Sequence, residues 1–209
     1  MQYGIDITSA RLDDLDKRVL SEVQKKVDQG VRVLDVGCGK GGLAVALGQA
    51  GAIVTALDVD DYMAEVEANV AEAKLPPHSL TFIQNDIISF LAKSDAVFDI
   101  VILQRVLHYL PHTLAKQVLS TLCARTDKLY LAVTGTDTAI AKHYSALKNQ
   151  IEDRWGELDT KGQELFFITA PLCLYNEKEI FDLLTETGWQ INWLRVSDFG
   201  NIKVVARSR

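Results

Sequence analysis

No stretch of this 209-residue chain approaches the roughly 20 apolar residues of a membrane-crossing helix, so no span is expected. The N-terminal region lacks the apolar core of a secretory signal. It carries Asp6, Arg11, Asp13, Asp14, Asp16, Lys17 and Arg18 instead, and a cytoplasmic protein is the expectation. Cysteine is scarce: Cys38, Cys123 and Cys173 are scattered and odd in number, which excludes a disulfide framework and a cysteine metal cluster. Basic charge is in deficit, with 22 Lys and Arg against 28 Asp and Glu and a net charge of −6. Nothing resembles a basic stripe with interleaved aromatics, so nucleic acid is not an expected partner. Internal repeats and low-complexity tracts are also missing.

What is present is a core. Hydrophobic residues make up 48% of the chain, and its length suits one α/β domain over 1–209. Leu12, Leu15, Val19, Leu20, Val23 and Val27 recur at helical steps, which predicts an amphipathic helix over 9–29 capped by Ser9 and stopped by Gly30. Strands then alternate with helices: 31–36, 52–57, 80–84, 98–103 and 129–133 read as strands. That order implies right-handed crossovers and a parallel sheet. Residues 135–170 break the alternation. Within them Ile140, Tyr144, Leu147 and Ile151 are spaced as one helix face. Asn176 with Glu179 makes a capping box for a last helix. Two further strands, 189–196 and 202–206, share a short polar joint with a glycine, which demands antiparallel pairing.

The chemistry is concentrated in Val33-Leu34-Asp35-Val36-Gly37-Cys38-Gly39-Lys40-Gly41-Gly42. An apolar strand runs into a glycine turn and a helix, and Asp58 follows about twenty positions on, at the end of the next strand. Such a turn closes tightly round a nucleoside, and such a carboxylate accepts from ribose hydroxyls. The glycines satisfy both GxGxxG and GxGxG. Asp35, where dinucleotide sites usually carry an apolar residue, and the final hairpin separate the two readings. A carboxylate at Asp35 suits a ligand's ammonium group.

On these residues the chain resembles the class I S-adenosylmethionine-dependent methyltransferases, particularly those of small molecules. Asp35 through Gly41 is similar to the family's first motif. Asn85-Asp86-Ile87 resembles its adenine motif, Phe98–Ile102 through His108-Tyr109-Leu110 its fourth-strand motif, and the hairpin its reversed last strand. The resemblance implies a Rossmann-like open seven-stranded sheet, mostly parallel, with an antiparallel last strand and helices on both faces. It implies S-adenosylmethionine as cofactor, held by Asp35, Gly37, Cys38, Gly39, Gly41, Asp58, Val59, Asp86, Ile87 and Gln104. His108 and Tyr109 would face substrate; Tyr109 stands where many relatives carry histidine.

The reaction implied is methyl transfer to an O, N or C atom of a small molecule. The strand-four end, Leu103-Gln104-Arg105-Val106, lacks the Asn/Asp-Pro-Pro-aromatic motif of nucleic-acid amine methylases, and Gln104 is neutral where catechol-type enzymes need a carboxylate for a cation. No metal is expected, and no catalytic residue is assigned. A protein or RNA methyltransferase, or a non-catalytic module on the same fold, are the alternatives. Residues 135–170 are expected to form a lid together with the first eight residues. Trp155, Phe166, Phe167 and Tyr175 would either line it or seal the end of the sheet.

Overall fold

The computed structural model describes residues 1–4 and 12–209. In chain order these form α1 (Asp14–Lys25), β1 (Arg32–Val36), α2 (Gly42–Gln49), β2 (Ile53–Asp58), α3 (Met63–Glu72), β3 (Leu80–Gln84) and α4 (Ile87–Lys93). β4 (Phe98–Gln104), α5 (His112–Cys123) and β5 (Thr126–Val133) follow. The chain closes with α6 (Thr160–Phe166), α7 (Glu177–Glu186), β6 (Trp189–Val196) and β7 (Ile202–Ser208). The strand order is β3-β2-β1-β4-β5-β7-β6. β1 pairs in parallel with β2 and β4, β2 pairs in parallel with β3, and β6 and β7 are antiparallel. The open, mostly parallel sheet with a reversed last strand is the one expected. Among the described residues no helix is long and apolar enough to cross a membrane.

The chain divides into two compact units. One is Asp6–Leu103 with Arg125–Tyr130. Its central strands β1 and β4 are buried on both faces, as parallel strands are when helices cover them. Leu34, Leu57, Ile100, Ile102 and Leu103 are fully buried, each stabilising the fold by about 1.5–3 kcal/mol. α1 presents Leu15, Val19 and Val23 to this core. Its start differs from the expectation. Asp13, not Ser9, is the cap: Asp13 Oδ1 accepts from the Leu15 and Asp16 N–H groups, and the Asp16 carboxylate accepts from the Asp13 N–H. This closed box fixes the first turn, so Leu12 precedes the helix. Residues 9–11, with the expected cap Ser9, lie outside the described residues. At the other end α1 stops at Lys25, and Val27–Gln29 is a separate 3-10 turn ended by Gly30 at φ +63°.

The other unit is Met1–Ile5, Gln104–Ala124 and Leu131–Arg209. Fully buried Trp189 donates its indole N–H to the Leu119 carbonyl, 3.1 Å away, fixing β6 against α5. The expected capping box opens α7: the Asn176 side chain accepts from Glu179 N–H, and the Glu179 carboxylate accepts from Asn176 N–H. The joint between β6 and β7 approaches the segment after β5 so closely that a Cβ on Gly135 would lie 2.2 Å from the Gly200 carbonyl oxygen. Only glycine fits there.

Residues 135–170 are not built as expected. Instead of one helix through Ile140 and Ile151 there are three 3-10 turns, Ala139–His143, Ser145–Lys148 and Ile151–Asp153, followed by α6. Extended residues, Tyr144 before the second turn and Asn149 and Gln150 before the third, break the spiral. Tyr144 is drawn out of helical geometry by its buried hydroxyl, which donates to the Arg154 and Leu172 carbonyls. The apolar spacing still reports burial. Ile140, Tyr144 and Leu147 share a cluster with Leu158, Ile168, Leu172 and Leu174.

Candidate cofactor site and its companion segment

The glycine turn grows directly from the sheet. After β1, the N–H groups of Gly37 and Cys38 both donate to the Leu57 carbonyl of β2, at 2.7 and 3.2 Å. The Gly41 N–H then returns to the Cys38 carbonyl at 2.9 Å. This path needs left-handed backbone three times: φ is +72° at Gly37, +51° at Gly39 and +79° at Gly41. L side chains rarely adopt those values. A Cβ on Gly41 would also press to 3.0 Å from a Val66 methyl of α3. Cys38 is buried inside the turn, as a small residue filling space.

Asp58 ends β2, and its carboxylate braces the turn. Oδ2 accepts from the Gly39 N–H at 2.8 Å, and Oδ1 accepts from the Asp60 N–H at 3.1 Å. Burial pushes its carboxyl above the usual range, and the Gly39 and Asp60 N–H bonds pull partly against that. Each carboxylate oxygen has about two acceptor directions, so each keeps capacity for a hydroxyl. Val59, next along, is exposed, and its carbonyl accepts from the Gln84 amide.

At the end of β3, Asp86 caps α4, accepting from the Ser89 N–H at 2.8 Å. Burial works to raise its carboxyl, but the hydrogen bonds from Ser89 and Ile88 together outweigh it, and the group sits below its ordinary value. Ile87, the first residue of α4, is buried. Asp35 is buried within β1, between Ala56 and Ile102 of the neighbouring strands. Asp35, Gly37, Cys38, Gly39, Gly41, Asp58, Val59, Asp86 and Ile87 therefore gather at or just before the carboxyl ends of β1, β2 and β3 in a single unit. Open α/β sheets bind ligands at such ends.

Gln104, His108 and Tyr109 belong to the other unit. Gln104 is the last residue of β4. Arg105 follows in a left-handed conformation, φ +56°, pinned by its N–H to the Ala132 carbonyl. Sequence spacing gave no warning of this strained arginine. His108 is buried rather than open: its imidazole lies against Thr134, with Nε2 3.3 Å from the hydroxyl. Burial, with the Arg105 charge, lowers it to about 3, so the ring is neutral. Burial pushes the Tyr109 phenol upward, and it too stays neutral. Its hydroxyl donates to the Tyr3 carbonyl at 2.6 Å, and the two rings meet edge to face.

Residues 1–4 are tied to the excursion as well. Tyr3 and Ile168 form an antiparallel bridge, Gly4 N–H donates to Phe167 O, and Thr169 and Ala170 N–H donate to Gln2 O. Tyr109 and Phe166 pack on the excursion's apolar cluster, while Tyr175 is fully buried. Trp155 and Phe167 are exposed, Phe167 at φ +55° where it ends α6.

Two interactions here escaped the sequence reading. Arg154, nearly buried, grips both Glu179 carboxylate oxygens at 2.8 Å and the Leu174 carbonyl at 3.0 Å. The His143 ring nitrogen Nδ1 meets the Asp159 carboxylate at 3.1 and 3.2 Å. The only sequence signal for the Asp159 cap on α6 is its residue type, favoured at helix starts; its histidine partner, sixteen positions back, carries none. Among the described residues no group of three or more His, Cys, Asp or Glu side chains is placed to hold a metal ion.

The strand order, with the glycine turn after β1, is that of the class I methyltransferase fold. More particularly, residues 33–128 match the family model described as a methyltransferase domain. Magnesium protoporphyrin IX methyltransferase of Arabidopsis thaliana chloroplasts is 29% identical over 188 residues, covering 90% of this chain and 55% of that protein. A ubiquinone biosynthesis O-methyltransferase of Vibrio campbellii is 36% identical over 99 residues, 46% of this chain and 41% of its own. The chain thus spans about half the length of these curated relatives. The crystal structure of magnesium protoporphyrin IX methyltransferase from Synechocystis PCC 6803 with bound SAH superposes with a TM-score of 0.62 at 24% identity. It covers 95% of this chain and 89% of that one.

Proposed function

We infer that the chain binds S-adenosylmethionine and transfers its methyl group to an O, N or C atom of a small-molecule acceptor. The carrying observation is the glycine turn, left-handed at Gly37, Gly39 and Gly41 and braced by the Asp58 carboxylate. The donor set fits a nucleoside with a cationic arm. The turn leaves no side chain between backbone and ligand, Asp58 and Asp86 accept from hydroxyl and amino groups, and Asp35 offers negative charge to an ammonium group. Gly37, Cys38, Gly39, Gly41, Val59 and Ile87 would supply backbone and apolar contact, and Gln104 a polar one.

The cofactor supplies an activated methyl group; the protein's share is binding, orientation and exclusion of water. Alignment of reacting groups alone is worth about 7–11 kcal/mol. The substrate-side residue is Tyr109, with His108 acting behind it through packing. The chain functions as one domain in the cytoplasm, with 135–170 and the first eight residues as its lid; of those eight, 5–8 lie outside the described residues. The relatives named for porphyrin and ubiquinone chemistry support a small acceptor over protein or RNA.

Calorimetry of the purified chain with S-adenosylmethionine, S-adenosylhomocysteine and NAD tests the cofactor. Saturable heat is expected with the first two and none with NAD. NAD binding without S-adenosylhomocysteine binding overturns the proposal.

A further inference from the structure

We propose that the open edge of β3, with the groove beside α3, takes an extended segment of a partner protein as an added strand, apolar where it faces the groove and basic at both ends. β3 stands last in the strand order, so among the described residues it pairs with β2 on one side and with no strand on the other. Its ladder fixes which groups look outward. The Val54 N–H donates to the Ser79 carbonyl and the Asn85 N–H to the Asp58 carbonyl, both at 2.8 Å. Alternate residues of a parallel strand bond to the same neighbour, so Ser79, Thr81, Ile83 and Asn85 face β2. The main-chain N–H and carbonyl groups of Leu80, Phe82 and Gln84 turn to the free side, where they form a template for another strand.

The side chains beside that edge form a receptacle. Leu80 and Phe82 fall on one face of β3, and a cavity of about 350 Å³ lies between them and α3. Met63, Val66 and Val70 complete its apolar lining, with Glu67 among them. α3 buries only Val66, and Met63 is 42% exposed, so the helix leaves much of its apolar stripe uncovered. Sheet edges are usually kept apart by charge, proline or a bulge. β3, Leu80-Thr81-Phe82-Ile83-Gln84, has neither charge nor proline and pairs in regular register. The opposite edge strand, β6, carries Arg195 and an irregular register between Ile191 and Trp193.

Charge selects the occupant. Asp60, Asp61, Glu65, Glu67 and Glu72 are exposed on and before α3, and Lys74 is the one basic residue of 60–74. A second copy would set the same acids against each other, and like charges across an interface disfavour pairing. A basic segment gains from them instead. An added strand sends every second side chain to the α3 face. Its apolar residues and its flanking basic residues must therefore alternate with the residues that face away.

The test titrates the full chain, labelled with nitrogen-15, with the peptide Lys-Thr-Val-Thr-Val-Thr-Lys and with its control Glu-Thr-Val-Thr-Val-Thr-Glu. Saturable binding is expected with the lysine peptide and is expected to weaken as salt rises. The glutamate peptide is expected to bind about ten-fold more weakly or not at all. On the unaltered chain, amide exchange is expected to slow at Leu80, Phe82 and Gln84, while Thr81 and Ile83, already paired with β2, change little. Glu67→Lys, at an exposed position, is expected to narrow the gap between the two peptides. No saturable binding, equal affinity for the two peptides, or unchanged exchange at Leu80, Phe82 and Gln84 overturns the proposal. So does a chain that sediments as a dimer with those three amides already protected, since a second copy would then be the occupant. The exchange readings need no variant and decide the matter whatever the stability of Glu67→Lys.

Discussion

Residues 37–41 and residues 135–170 both leave the carboxyl end of a strand as irregular backbone, but they are fixed by different means. The glycine turn is held by main-chain bonds to Leu57 and Cys38 and by a single carboxylate, Asp58. It is specified by what is missing, since a side chain would occupy the space the turn encloses. The excursion is held by side chains: the Arg154–Glu179 pair, the Tyr144 hydroxyl and an apolar cluster. It is specified by what is added. The first should therefore fail on gaining atoms and the second on losing them.

The largest effect is expected at Gly39. In Gly39→Val a β-branched residue must sit at φ +51° with its side chain in the cradle. Calorimetry should show no S-adenosylhomocysteine binding while circular dichroism shows a folded chain. Binding retained in that variant would break the idea that the turn is defined by absence. Asp58→Ala should come next, weakening the same ligand roughly 10- to 100-fold, because charge-assisted hydrogen bonds are worth about 1.5–3 kcal/mol. An unchanged dissociation constant would put the ribose elsewhere.

Arg154→Met tests the excursion. It keeps bulk but strands Glu179 and the Leu174 carbonyl, at an expected cost of about 2 kcal/mol. Hydrogen exchange should speed up across 135–175 and stay slow in β1 and β2. Uniform acceleration would mean the two regions do not differ in the way described.

The smallest effect near neutral pH concerns His108, buried neutral with its pKa lowered to about 3. Below its ordinary 6.5 the unfolded imidazole takes up a proton that the folded one refuses. Stability contributed by the neutral ring is whole above 6.5 and is lost as pH falls, by about 1.4 kcal/mol per unit. Chemical denaturation of His108→Leu between pH 7 and 5 should show a flatter acid slope than the parent. An identical slope would show that His108 is not the group responsible.

The same contrast explains what could be read from the sequence. The glycine turn, Asp58 and the Asn176–Glu179 box are short-range patterns in which spacing alone fixes geometry, and they were legible. So was the antiparallel hairpin, since five joining residues leave no room for a crossover. The start of α1 was misplaced because Asp13 and Asp16 close a capping box of their own, which starts the helix at Asp14. The helix expected through Ile140 was wrong because Tyr144 bonds to carbonyls 10 and 28 positions away. Apolar periodicity reports which residues are buried, not which backbone buries them. The burial of His108 was hidden for the same reason, depending on Thr134, 26 positions on.

The strap at residues 1–4 has a consequence for how the molecule assembles. The Gln2 N–H donates to the Thr169 hydroxyl across 167 positions. Loop-closure entropy grows only with the logarithm of length, each doubling adding about 0.6 kcal/mol, so the contact is tolerable at equilibrium. Kinetically it belongs to the late phase, because long-range pairings form after local ones have shortened the search. Interactions absent from the transition state govern how fast a native chain opens rather than how fast it folds. Thr169→Val, which deletes the acceptor for the Gln2 N–H, should then leave the refolding limb of a chevron in place and raise its unfolding limb. The strap would act as a fastener that sets the lifetime of the folded state.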